Sequence, residues 1–115
     1  MIELVIAERC IGCNLCVAVC PGNVFETIPD RPPRIARQSD CQTCFLCELY
    51  CKSDSLYVHP DCDAAHPQDE ATILHSGLLG QYRRDSGWDE WNADPSLVDQ
   101  HWRMEEVFVR ARGLS

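Results

Sequence analysis

Eight of the nine cysteines in this 115-residue chain fall into two runs. The first is Cys10-Ile-Gly-Cys13-Asn-Leu-Cys16-Val-Ala-Val-Cys20. The second, 31 residues later, is Cys41-Gln-Thr-Cys44-Phe-Leu-Cys47-Glu-Leu-Tyr-Cys51. Both read C-x2-C-x2-C-x3-C. Two-residue gaps let one tight loop present three thiolates to a single centre. The three-residue gap does something else: it sets the third and fourth cysteines at i and i+4, on one face of a helix, so the fourth reaches away from the first three. A cube of iron and sulfide needs a thiolate at each iron corner, and in runs of this spacing the fourth cysteine ligates the other cluster. Applied here, one 4Fe-4S cluster takes Cys10, Cys13, Cys16 and Cys51, and the other takes Cys41, Cys44, Cys47 and Cys20. Paired CxxC units also hold zinc, but tetrahedral zinc takes only four ligands. A disulfide framework needs an oxidising compartment.

The rest of the composition agrees with an inorganic core. Hydrophobic residues reach 45 % only with the nine cysteines counted; without them the fraction is thin for a domain that must stand on side-chain burial alone. No stretch approaches the ~18–20 apolar residues of a membrane span. The opening Met1-Ile2-Glu3-Leu4-Val5-Ile6 is too short, and lacks the basic leader, for a signal peptide. A cytoplasmic setting is expected, where dense cysteines mean metal rather than disulfides. The formal charge of −8 argues against a nucleic-acid partner.

Charge divides the chain near residue 60, with net −2 before it and −6 after it. The cysteine-rich head, 1–60, is written twice as strand, cysteine loop, helix, strand. Ile2 to Ile6 reads as a strand with Ile2, Leu4 and Ile6 on one face, paired with Leu56-Tyr57-Val58. Val24–Glu26 and Arg34–Ala36 read as a hairpin across Pro29-Asp30-Arg31-Pro32-Pro33. Leu15–Cys20 and Leu46–Cys51 read as short helices, the first ended by Pro21. Interleaved apolar residues, from Ile11 and Leu15 to Phe45, Leu49 and Tyr50, are expected to keep water from the centres. Arg31, Arg34 and Arg37 read as the solvated rim of the hairpin, with a partner-docking patch as the alternative.

At these residues the head resembles the bacterial, clostridial-type ferredoxin domain with two 4Fe-4S clusters. The resemblance implies an α+β, ferredoxin-like pseudo-twofold (βαβ)2 head and one-electron transfer at low potential. All eight ligand positions are cysteine. Lys52 departs from the proline usual after the second run, and a fixed cation beside Cys51 is expected to raise the potential of the nearby cluster.

The tail, 61–115, has no catalytic constellation. Its aromatic residues, Trp88, Trp91, Trp102 and Phe108 among them, are too many for a disordered acidic tail and too few for an independent core. It is expected to be a C-terminal extension of mixed helix and loop, lying on a partner subunit or back on the head, with the partner preferred. A helix opening at Asp94-Pro95-Ser96 and running to about Ala111 would align Leu97, Val98, His101, Trp102, Glu105, Phe108 and Val109, while the triplet Val107-Phe108-Val109 reads equally as a strand. The layout is similar to the small subunit of adenylylsulfate reductase, whose tail embraces a flavin-containing large subunit. That similarity implies FAD on a partner subunit only, with an external electron carrier supplying or receiving electrons. The rival expectation is a freestanding diffusible ferredoxin. Cys62 is expected to be a free thiol; His59, Cys62 and His66 suggest a third metal set that lacks a fourth ligand. His75 and His101 read as packing or surface residues.

Overall fold

A computed structural model describes residues 1–87, 96 and 100–114. Trp88, Trp91, Asp94, Pro95, Leu97 and Val98, on which part of the expected tail structure rests, lie outside the described residues. The head runs β1 (Ile2–Val5), α1 (Leu15–Val19), β2 (Phe25–Ile28), β3 (Arg31–Ile35), α2 (Leu46–Tyr50) and β4 (Leu56–Val58). After it come α3 (Glu70–Ser76), α4 (Gln81–Asp85) and α5 (Met104–Gly113). β1 pairs antiparallel with β4, and β2 with β3.

The two ladders carry different corrections to the sequence reading. β2 and β3 turn at Pro29-Asp30, Asp30 taking the left-handed region at φ 59°, so the turn is shorter than expected. Pro32 and Pro33 fall inside β3, where a two-stranded ladder leaves edges that need no proline N–H. In β1 the register is Ile2 to Val58, Leu4 to Tyr57 and Val5 to Leu56. Two residues of β1 are thus spanned by one step of β4, a bulge that breaks the alternation of faces. Ile2 and Val5 therefore turn to one core, while Leu4 and Ile6 turn to the other. The single apolar face of Ile2, Leu4 and Ile6 does not form.

The first core packs Ile2, Val24, Phe25, Phe45, Leu56 and Val58 around Cys16, Cys47 and Cys51. The second, built of Ile6, Tyr57, Ile73, Leu78, Leu79 and Ala111, joins the head to the tail. α3 starts at Asp69, whose carboxylate accepts from the Thr72 N–H at 3.1 Å, and stops at left-handed Gly77. α5 carries Glu105 and Glu106 in its first turn and Arg110 and Arg112 in its last, the order that complements a helix dipole. Its inward face is Met104, Val107, Phe108 and Ala111, at i, i+3, i+4 and i+7. The stripe expected through Trp102, Glu105 and Val109 is instead turned outward: Trp102 is 74 % and Val109 63 % exposed.

Candidate metal centre

The two cysteine loops share a backbone as well as a spacing. Left-handed residues recur at the 31-residue offset: Gly12 and Thr43 at φ 75° and 54°, Asn14 and Phe45 at 56° and 61°, Asn23 and Asp54 at 54° and 51°. Non-glycine residues seldom adopt this region. Its repetition at matched positions curls each run inward, so that successive cysteines face a common space, and the short helix that follows carries the chain away.

Two small cavities result. Cys10, Cys13, Cys16 and Cys51 line the first. Cys20, Cys41, Cys44 and Cys47 line the second. Each helix serves both. α1 holds Cys16 and is capped at its C-terminus by Cys20, and α2 holds Cys47 and is capped by Cys51. Apolar walls complete the cavities: Val5, Pro33 and Leu56 in the first, Ile2, Val24, Phe25 and Val58 in the second. Cys13 and Cys44 are exposed and mark the outer edge of each set.

The donors suit thiophilic metal. Burial pushes the Cys16 thiol up to about 11 and raises Cys47 well above its ordinary value. A thiol so placed ionises only when a cation takes the charge. Several hydrogen-bond donors point at the sulfurs. Cys41 Sγ accepts from the N–H groups of Ile2 at 3.3 Å and Thr43 at 3.4 Å. Cys51 Sγ meets the N–H of Ser55 at 3.4 Å and its hydroxyl at 3.0 Å. Four sulfurs around an apolar-walled cavity, with N–H groups directed at them, are the ligand chemistry of an iron–sulfur centre.

The apolar residues between the ligands divide. Phe45 and Leu49 are buried, whereas Ile11 is 71 % exposed, and Leu15 and Tyr50 are also open. The difference lies in the tail. Phe45, which lines the second cavity, is covered by Tyr82 at a ring separation of 4.9 Å and by Phe108 at 5.2 Å. Lys52 is exposed, where solvent screens its charge. Arg34 and Arg37 both engage Glu26, at 2.9 and 2.6 Å, and hold that carboxyl below its usual range.

Two features escaped the sequence reading. Glu48, next to Cys47, is fully buried; its carboxylate accepts from the Tyr82 N–H at 2.8 Å and the Val58 N–H at 3.3 Å. Burial raises its pKa to about 8. A lone glutamate among Phe45, Leu46, Leu49 and Tyr50 was the available signal. The second is at the histidines, where Asp61 rather than Cys62 joins His59 and His66, their ligating atoms within 4.8 Å of one another. Cys62 is exposed. Protein bonds engage this group: Asp61 N–H donates to His59 Nδ1 at 3.1 Å, His66 Nε2 lies 3.1 Å from Asp61, and Arg112 pairs with Asp61 at 2.9 Å.

Comparison with known proteins bears on the same residues. A family model described as a 4Fe-4S binding domain matches residues 4–26, which include Cys10, Cys13, Cys16 and Cys20. An uncharacterized ferredoxin of Methanocaldococcus jannaschii is 39 % identical over 49 residues, 43 % of this chain and 77 % of that protein. An uncharacterized polyferredoxin-like protein of the same organism is 32 % identical over 78 residues, 58 % of this chain. The chain spans 45 % of that relative's length. No solved structure matches the chain.

Proposed function

We propose, since this chain belongs to the ferredoxin family of iron–sulfur electron-transfer proteins, that it holds two 4Fe-4S clusters and passes single electrons through both. One would be bound by Cys10, Cys13, Cys16 and Cys51, the other by Cys20, Cys41, Cys44 and Cys47. The observation that carries this is the division of eight cysteines into two four-sulfur cavities that exchange one member between their sequence runs. Such a cluster supplies reversible one-electron chemistry at low potential. The chain's own residues do the rest. Thiolates hold the irons, backbone N–H groups offset the charge on sulfur, and aliphatic walls keep water out. The shared helices α1 and α2 keep the two sites adjacent. We read the head as the ferredoxin-like (βαβ)2 arrangement, which the duplicated strand–helix–strand order supports.

The role that the geometry supports best is that of a diffusible carrier. Ile73, Leu78, Leu79 and Ala111 of the tail are buried against Ile6 and Tyr57 of the head, so this part of the tail's apolar surface is already covered. A second reading, the small subunit of a flavin-dependent oxidoreductase with FAD on its large partner, is favoured by the open Trp102 and Val109 on one side of the tail. Among the described residues no helix is long and apolar enough to cross a membrane. We place the chain in the cytoplasm, where its thiols stay reduced.

Anaerobic purification tests these readings together. About eight irons per chain, with absorption near 400 nm that bleaches on dithionite, is the expected result. Zinc in place of iron, without that absorption, would falsify the redox reading. Migration as a monomer supports the carrier. A flavin-containing complex that survives high salt establishes the subunit role instead.

A further inference from the structure

The two halves match in backbone but differ at two side chains beside the sulfurs. At the 31-residue offset Cys20 corresponds to Cys51, Gly22 to Ser53, Asn23 to Asp54 and Val24 to Ser55. The equivalence is physical, because Asn23 and Asp54 share the left-handed region. Gly22 packs against the carbonyl of Asp40, where a Cβ would collide, and Val24 fills its cavity with methyl groups. The first cavity has hydroxyls at both places.

Those hydroxyls are aimed. Ser55 is 2 % exposed, and its Oγ lies 3.0 Å from Cys51 Sγ. Ser53 Oγ lies 3.0 Å from Ser55 Oγ and 3.5 Å from the same sulfur. A metal-bound cysteine has no proton to give, so the serines must donate. Ser53 donates to Ser55 and Ser55 donates to Cys51, each bond polarising the next in a site of low dielectric. Hydrogen bonds to an ionised acceptor are about twice as strong as neutral ones. On the second set, the N–H groups of Ile2 and Thr43 reach Cys41 Sγ at 3.3 and 3.4 Å, and on the first the Ser55 N–H reaches Cys51 Sγ at 3.4 Å. What distinguishes the first set is the shorter hydroxyl bond at 3.0 Å, not the number of donors.

An added electron increases the negative charge on the ligand sulfurs, and a donor that stabilises that charge favours the reduced form. We infer that Ser53 and Ser55 make the cluster on Cys10, Cys13, Cys16 and Cys51 the more easily reduced of the two, so that a single electron held by the protein rests there. This rests on the two-cluster reading.

The test is a redox titration of the full chain, followed by electron paramagnetic resonance, alongside iron analysis. The wild type is expected to show two separate reduction steps at about eight irons per chain. Ser55→Ala should keep its iron and lose roughly tenfold in the equilibrium of the more positive step, ~59 mV for one electron. The other step should stay in place. Ser53→Ala should move the same step in the same direction by less, and carries the test if Ser55→Ala does not load. Iron near eight with steps indifferent to the serine substitutions, or shifted together, overturns the ordering alone. Iron near four overturns the two-cluster reading and the ordering with it.

Discussion

Glu48 shows how one residue joins the candidate centre to the rest of the molecule. It follows Cys47 on α2, yet its two carboxylate oxygens take the backbone N–H groups of Tyr82 in the tail and Val58 in β4. Burial raises its pKa from 4.5 to about 8. A carboxyl whose folded value lies above its unfolded one keeps its proton in the native state after the unfolded chain has lost it. Its contribution is then fully present below about pH 4.5 and is lost as the pH rises through about 8. Glu48→Gln cannot titrate, and it turns an amide N–H₂ toward one of the two donors, at a cost of about 1–3 kcal/mol. The advantage of the wild type over Glu48→Gln in anaerobic denaturant unfolding should therefore be greatest at acid pH and shrink across this window. An advantage that does not vary with pH would remove the argument. The cysteines were legible in the sequence because their spacing is itself the geometry of the site. Glu48 was not, because a glutamate on a short helix ordinarily faces water, and only the later arrival of β4 and α4 makes it a buried acceptor.

At the level of elements, the join between α3 and α4 shows which local signals carry through. Gly77 and Gly80 both sit in the left-handed region, at φ 76° and 65°. A Cβ on Gly77 would meet nothing within 4 Å, whereas one on Gly80 would collide with the Asp54 carboxylate. That carboxylate is held by Arg83 through two bonds of 3.1 Å. Gly77→Ala should thus cost only the backbone penalty of about 1 kcal/mol. Gly80→Ala adds the displacement of a half-buried ion pair and should cost about 2–4 kcal/mol in all. Equal denaturation midpoints for the two variants would contradict this. Nothing in the sequence tells the two glycines apart, because Asp54 meets Gly80 only in the folded chain. Period-two and period-3.6 patterns fared similarly. They located β1 and the C-terminal helix, but the bulge between Ile2 and Leu4 reversed part of one face. The inward stripe of α5 is set by its contacts with Phe45 and the head, at Met104, Val107, Phe108 and Ala111 rather than at Trp102 and Val109.

Across the whole molecule, the tail breaks the symmetry that the repeat sets up. It closes over α2 with Phe108 stacked on Phe45 and Tyr82 tilted against it, while Ile11 and Leu15, in the other half, stay open. Nothing in the repeat could announce this, because the tail has no counterpart within it. The crossed arrangement of the cysteines has a further consequence, for assembly. Each four-sulfur set needs the C-terminal cap of the other set's helix, so filling one cavity draws Cys20 or Cys51, and with it the neighbouring helix, toward its final place. The ordering entropy of the second site is then largely met when the first fills. Loading should be cooperative. Native mass spectrometry of the chain given less iron and sulfide than it can hold is expected to show empty and doubly filled molecules, with few that carry a single cluster. A scarce supply of iron would then reduce the number of working molecules rather than leave each of them half-equipped.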